Sequence, residues 1–260
     1  MGHERIGFLP RTKKWRDVVD DIARYSRGSI DATSLGNAVL NNVRHRFNFI
    51  AEDTGVHTAF YSLVVLAYAG KGDVTAGQLT KNALPLAKNP TEFQIVRGVA
   101  NWIDKNVDSK EYAELAKSAV IDAIILWQRS HSTGQVDAFS GSETVSDVWR
   151  KASNGAGFTE LSRLFFSKFT ERYIAYFLER EAGAQVTNWG DVVNLRSDLA
   201  DRIDSISRYA FETSKITESF AAGWYNKNTK KRLPNQKQIK GFLSYAFEKI
   251  SEELRRERLQ

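Results

Sequence analysis

Apolar residues recur along this chain at the spacing of an α-helix and almost nowhere at the spacing of a strand. Trp15, Val18, Val19 and Ile22 stand at i, i+3, i+4 and i+7, one face of a helix. Leu35, Val39, Val43, Phe47 and Ile50 continue the pattern behind Ser34, a residue type suited to an N-cap. Phe60, Leu63, Val64 and Ala67 form a third stripe, and Gly70 is placed to close it in the left-handed conformation. Asn89-Pro90-Thr91-Glu92 reads as a start signal, with Asn89 capping, Pro90 at the first helical position and Glu92 reaching back. Phe93, Val96, Ala100 and Ile103 then mark a buried face. A further run, opened by Asp108 or Ser109, passes through Tyr112, Ala116, Val120, Ile124 and Trp127.

Residues 131–141 have loop composition, and a short helix carrying Val145, Val148 and Trp149 follows. Ser153-Asn154-Gly155-Ala156-Gly157 is the candidate boundary between an N-terminal half, 1–153, and a C-terminal half, 158–260. It reads equally as an interhelical loop within one continuous domain. A long helix then runs from about Thr159 to Ala182 and ends at Gly183, carrying Phe165, Phe166, Phe169, Tyr173, Tyr176 and Phe177. These rings exceed one narrow stripe, which predicts a central helix packed on several sides. Lining a ligand pocket or partner groove is the alternative use for them.

From Asp191 the pattern passes through Leu195, Leu199, Ile203, Ile206 and Ala210, and it either breaks near Ser214 or continues to Phe220 and Trp224. A last helix starts near Asn235 with Ile239, Phe242, Leu243, Ala246, Ile250 and Leu254. All four prolines, Pro10, Pro85, Pro90 and Pro234, lie at or near proposed helix ends. The expected fold is all-α, an array or bundle of roughly eight to eleven helices without substantial sheet.

Composition narrows the function classes. Hydrophobic residues make up 42% of the 260, enough for a sizeable core. Cysteine is absent, which excludes disulfides and thiolate-ligated metals and fits a reducing compartment. The basic N-terminal residues are not followed by the apolar segment of a secretory signal. The longest apolar stretch, 60–69, is interrupted by Ser62 and too short to span a bilayer. A cytoplasmic protein without membrane association is expected.

The net charge of +6 favours acidic partners, and its distribution matters more than its size. No acidic residue occurs between Glu218 and Glu248, while Lys227, Lys230, Lys231, Arg232, Lys237 and Lys240 all fall there. Asn226, Asn228, Asn235, Gln236 and Gln238 are interleaved, and Trp224, Tyr225 and Tyr245 flank them. Cations neutralise phosphates, amides hydrogen-bond bases or backbone, and aromatic rings stack on exposed bases. Pro234 opens a helix whose first amides favour anions. The bland alternative is a solvated basic loop, and an acidic protein face is an equal electrostatic match. Arg11, Lys13, Lys14 and Arg16, with Trp15 among them, form a second cluster that extends the first if the fold brings both to one face.

Other chemistry is poorly represented. His45, Glu52, Asp53 and His57 hold metal-ligand chemistry at a spacing that matches no familiar site, and Arg44 and Arg46 oppose a cation near His45. A metal-dependent hydrolase using His45, Asp53 and His57 is accordingly the weakest alternative. Phosphate-cradling glycine loops, zinc-protease HExxH and the GxSxG elbow are all missing, so no catalytic residue and no cofactor is assigned. Asp191, Asp198, Asp201 and Asp204, with Arg196 and Arg202, read as surface ion pairs on a helix.

Gly223-Trp224-Tyr225 and Gly241-Phe242-Leu243-Ser244-Tyr245-Ala246-Phe247, with Phe169-Thr170-Glu171-Arg172-Tyr173 and Tyr176-Phe177-Leu178, resemble uncharacterised helical proteins encoded in bacterial anti-phage defence operons. The resemblance implies one subunit of a multi-protein defence system and transfers no catalytic residue. Two function classes follow from the whole sequence. One is a non-catalytic subunit binding DNA, RNA or an acidic surface through its basic patch. The other is a helical scaffold that acts through contacts with partner proteins alone and needs an exposed apolar patch.

Overall fold

The computed structural model describes residues 13–43, 47–72, 90–107, 112–132, 145–185 and 215–256, with a few positions between 190 and 204. Among the described residues there are helices and no strand. In chain order they are α1 (Lys13–Ser26), α2 (Ala32–Val43), the single turn α3 (Phe47–Ile50), α4 (Thr54–Ala69) and α5 (Glu92–Asn106). Then come α6 (Ala113–His131), α7 (Val145–Ala152), α8 (Gly155–Gln185), α9 (Lys215–Asn228) and α10 (Gln236–Arg256). None of them is long and apolar enough to cross a membrane.

Most of the predicted helices form among the described residues, while the pattern from Asp191 through Ala210 lies largely outside them; several starts shift because a better cap stands nearby. Asp31, not Ser34, begins α2: its carboxylate accepts from the Ser34 amide at 2.7 Å. Asp53 does the same for α4, accepting from the amides of Gly55 at 2.8 Å and Val56 at 3.0 Å. At α5 the reciprocal box is Thr91 with Gln94, two residues later than expected from Asn89 and Glu92. Ile95, Val99 and Ile103 form the buried face of this helix, and Phe93 is 71% exposed. Asn89 lies outside the described residues, as do Asp108 and Ser109; α6 starts at Ala113.

α4 sits at the centre, packed against α5, α6, α7, α8 and α10. α8 crosses most of the molecule and contacts α1, α2, α4, α6, α7 and α9. Phe60 of α4 lies 5.2 Å, ring to ring, from both Phe165 and Phe242, 5.7 Å from Phe166 and 6.2 Å from Phe158. Phe165, Phe166, Phe169 and Tyr173 are all fully buried, so the aromatic helix is core. One buried cluster runs from Val18 to Ile250.

Glycines placed as helix ends do a different job. Gly70 is right-handed (φ −63°), and the positive φ falls on Gly72. What Gly70 supplies is absence: a Cβ there would stand 2.1 Å from the Trp149 carbonyl oxygen of α7. The Ser153–Gly157 stretch is likewise no loose linker. The Asn154 side chain caps α8 through the Gly157 amide at 3.0 Å, and α8 starts at Gly155 instead of Thr159. A Cβ on Gly155 would lie 2.8 Å from that of Ala222 in α9. Gly183 falls inside α8, which continues to Gln185.

Candidate nucleic-acid interface

The basic connector joins α9 to α10 and is tied down at both ends. At its start, the Thr229 amide and hydroxyl donate to the Tyr225 carbonyl at 2.9 and 2.7 Å, closing the last turn of α9. Lys71, just past α4, donates its ammonium to the Thr229 carbonyl and hydroxyl, both at 2.9 Å. The same ammonium lies 4.9 Å above the Tyr225 ring, and burial pulls its pKa down. A cation at the C-terminus of α9 also offsets the negative end of that helix dipole. At the far end, Asn235 and Gln238 exchange side-chain and backbone hydrogen bonds at 2.8 and 3.0 Å, and Gln238 also donates to Asn228. Pro234 is buried and Leu233 packs on the core.

Between these anchors Lys230, Lys231 and Arg232 are exposed, as are Lys227 on α9 and Lys237 on α10. None of the five makes an ion pair with another described residue. Lys240 differs: it pairs with Glu52, which stands beside the cap of α4. Pro234 precedes the helix it was expected to open, and the Asn235–Gln238 exchange already occupies part of the N-terminal amide set.

Lys13 and Arg16 are exposed on the first turn of α1, which packs mainly on α2 and α8. Lys14 is part of α1. Arg11 lies outside the described residues.

The aromatics expected to stack on bases are otherwise engaged. Tyr225 is fully buried, stacked 4.3 Å from Phe158, and burial pushes its phenol pKa up. Trp224 lies 4.7 Å from Phe242, and Tyr245 lies 4.0 Å from Phe220. A different set faces the connector. A groove of about 640 Å³ is lined by Thr58, Tyr61 and Tyr68 of α4, Trp102 and Asn106 of α5, and residues 231–236. Tyr61 and Trp102 lie 6.1 Å apart, ring to ring, and burial pushes the Tyr61 phenol up. The Asn106 amide donates to the Trp102 carbonyl at 2.7 Å. Lys231 and Arg232 stand at its rim, and no carboxylate lines it among the described residues.

Tyr61 was hidden in the sequence inside the apolar run 60–69. The available signal was its periodicity: Thr58, Tyr61, Val65 and Tyr68 share one face of α4, and all but Val65 are polar-tipped. Trp102 and Asn106 repeat the arrangement at i and i+4 on α5.

Two of the three residues offered for a metal-dependent hydrolase, Asp53 and His57, have structural roles. Asp53 caps α4, and His57 is buried with Nε2 2.6 Å from the Ala51 carbonyl oxygen. Among the described residues no three potential ligands converge. His45 lies outside them. Asp204 pairs with Arg163 of α8 at 3.2 Å and accepts from Ser167 at 3.0 Å, and Asp198 accepts from Tyr25 at 3.1 Å. Both therefore tie helices together. Comparison of the chain with protein-family models, with curated proteins and with solved structures found no match.

Proposed function

We propose that this protein is a non-catalytic helical subunit that binds nucleic acid through the connector between α9 and α10. One observation carries the reading: five exposed cations without described carboxylate partners sit on and beside a backbone anchored at both ends. Such an array meets a phosphate chain with little reorganisation, and each neutralised phosphate releases condensed counterions. Neutralising Lys230, Lys231 and Arg232 together to serine is expected to weaken binding of a DNA or RNA oligomer. The slope of log affinity against log salt should fall by about two to three. Equal affinity and slope in the two proteins would reject this surface. An acidic protein face is the alternative partner for the same cations, and it is favoured if no nucleic acid binds at low salt.

The resemblance of the segments around Trp224 and Phe242 to proteins of anti-phage defence operons supports membership of a multi-protein bacterial assembly. Co-purification of the untagged protein from its own cell tests that part. A scaffold role by protein contact would use exposed apolar residues such as Phe49, 67% exposed, and Phe93, 71% exposed. Loss of co-purifying partners on Phe49→Ser or Phe93→Ser, with nucleic-acid binding intact, would favour it.

A further inference from the structure

We infer that the groove between α4, α5 and the connector seats one unpaired nucleotide of a single strand, its base against Trp102 and Tyr61 and its phosphate toward Lys231 and Arg232. The inference rests on the nucleic-acid reading above and adds the class of nucleic acid. The lining carries the argument. Cations alone select any anion, and aromatic rings alone select any flat apolar group. Here both line one cavity of about 640 Å³, within the roughly 300–1,000 Å³ usual for small-ligand sites. Thr58, Asn106 and the two tyrosines add donors and acceptors for base edges. The absence of a lining carboxylate among the described residues removes the repulsion a phosphate would otherwise meet. A base inside a duplex has both faces covered by its neighbours, so only an unpaired base offers a face to Trp102.

The test uses the full chain and four probes: a short oligothymidylate, an abasic strand of equal length, a duplex, and thymidine monophosphate. Trp102→Leu should lower oligothymidylate affinity about tenfold, because it removes one stacking partner. It should leave abasic-strand and duplex binding unchanged, and Trp102→Phe should recover most of the loss. Exposed Asn106→Asp, which brings a carboxylate to the groove, should weaken both single strands by repelling the phosphate while leaving duplex binding unchanged. That variant decides the matter if Trp102→Leu proves unfolded by circular dichroism. Equal oligothymidylate affinity in the wild type and both variants overturns the inference, while the salt slope of the connector can still stand. Binding of the mononucleotide as tight as that of the strand overturns the strand as occupant. If the serine triple variant binds every probe like the wild type, the underlying reading fails as well.

Discussion

Phe60 and Tyr61 are neighbours in the chain and have opposite fates. Phe60 is fully enclosed by four phenylalanines drawn from α8 and α10. Tyr61, rotated about 100° around α4, meets a single indole and then an open groove. Ring chemistry is nearly the same at the two positions. The difference lies in what the neighbouring helices offer. On one side they interlock until no space remains. On the other, α4, α5 and the connector leave a groove between them. A packed aromatic side supports the molecule, and a half-covered aromatic side is left able to accept something else.

Substitutions can break this contrast. Phe60→Ala should cost about 3–5 kcal/mol in chemical denaturation, as expected for a fully buried ring. If it costs no more than a surface change, the enclosed side is not the centre of the core. Gly70→Ala should cost about 1–3 kcal/mol, since its new methyl meets a backbone carbonyl that has no rotamer with which to escape. Near-neutral behaviour there would mean that α4 and α7 pack less closely than 2.1 Å from that carbonyl implies. Tyr61→Ala should cost about 1–2 kcal/mol, because the ring is only half-buried. A loss matching that of Phe60→Ala would erase the distinction between the two sides.

The smallest effect is expected beside the groove helix. Lys117 of α6 bonds to Asp104 of α5 at 2.7 Å and to Glu114 at 2.8 Å. Burial pulls its ammonium down, but those two carboxylates more than offset this, so its pKa is raised. A raised folded-state pKa means that this contribution is complete below the ordinary lysine value near 10.5. It disappears as pH rises through the folded value. Lys117→Met should therefore cost less than about 1 kcal/mol, since both carboxylates are solvent-exposed. Its stability curve should converge with that of the wild type at strongly alkaline pH. A gap that persists there would indicate lost packing instead.

Helix periodicity made the architecture legible: Val18, Ile22, Leu35, Val39, Phe47 and Ile50 all stand where their spacing places them in the core. Periodicity cannot weigh competition among adjacent caps, and so missed the Thr91–Gln94 box; nor does it choose between overlapping apolar faces, and Phe93 is exposed while Ile95 and Val99 are buried. Nor does it separate a glycine chosen for its dihedral freedom from one chosen because another backbone passes close by, as at Gly70 and Gly155. For the site, the exposure of all six connector cations follows from their density in sequence. Their aromatic companions do not, because Tyr61 and Trp102 are distant in the chain and meet only when α4 and α5 pack.

The bond from Lys71 to Thr229 spans 158 positions of sequence and ends one residue before Lys230. Its effect is to hold the backbone beneath three exposed side chains on a bend. Much of the backbone freedom that a floppy loop would surrender on meeting a polyanion is here surrendered during folding. Replacing Lys71 by methionine would thus be felt at a distance, as faster amide exchange in residues 230–232 with no charge removed from the bend itself.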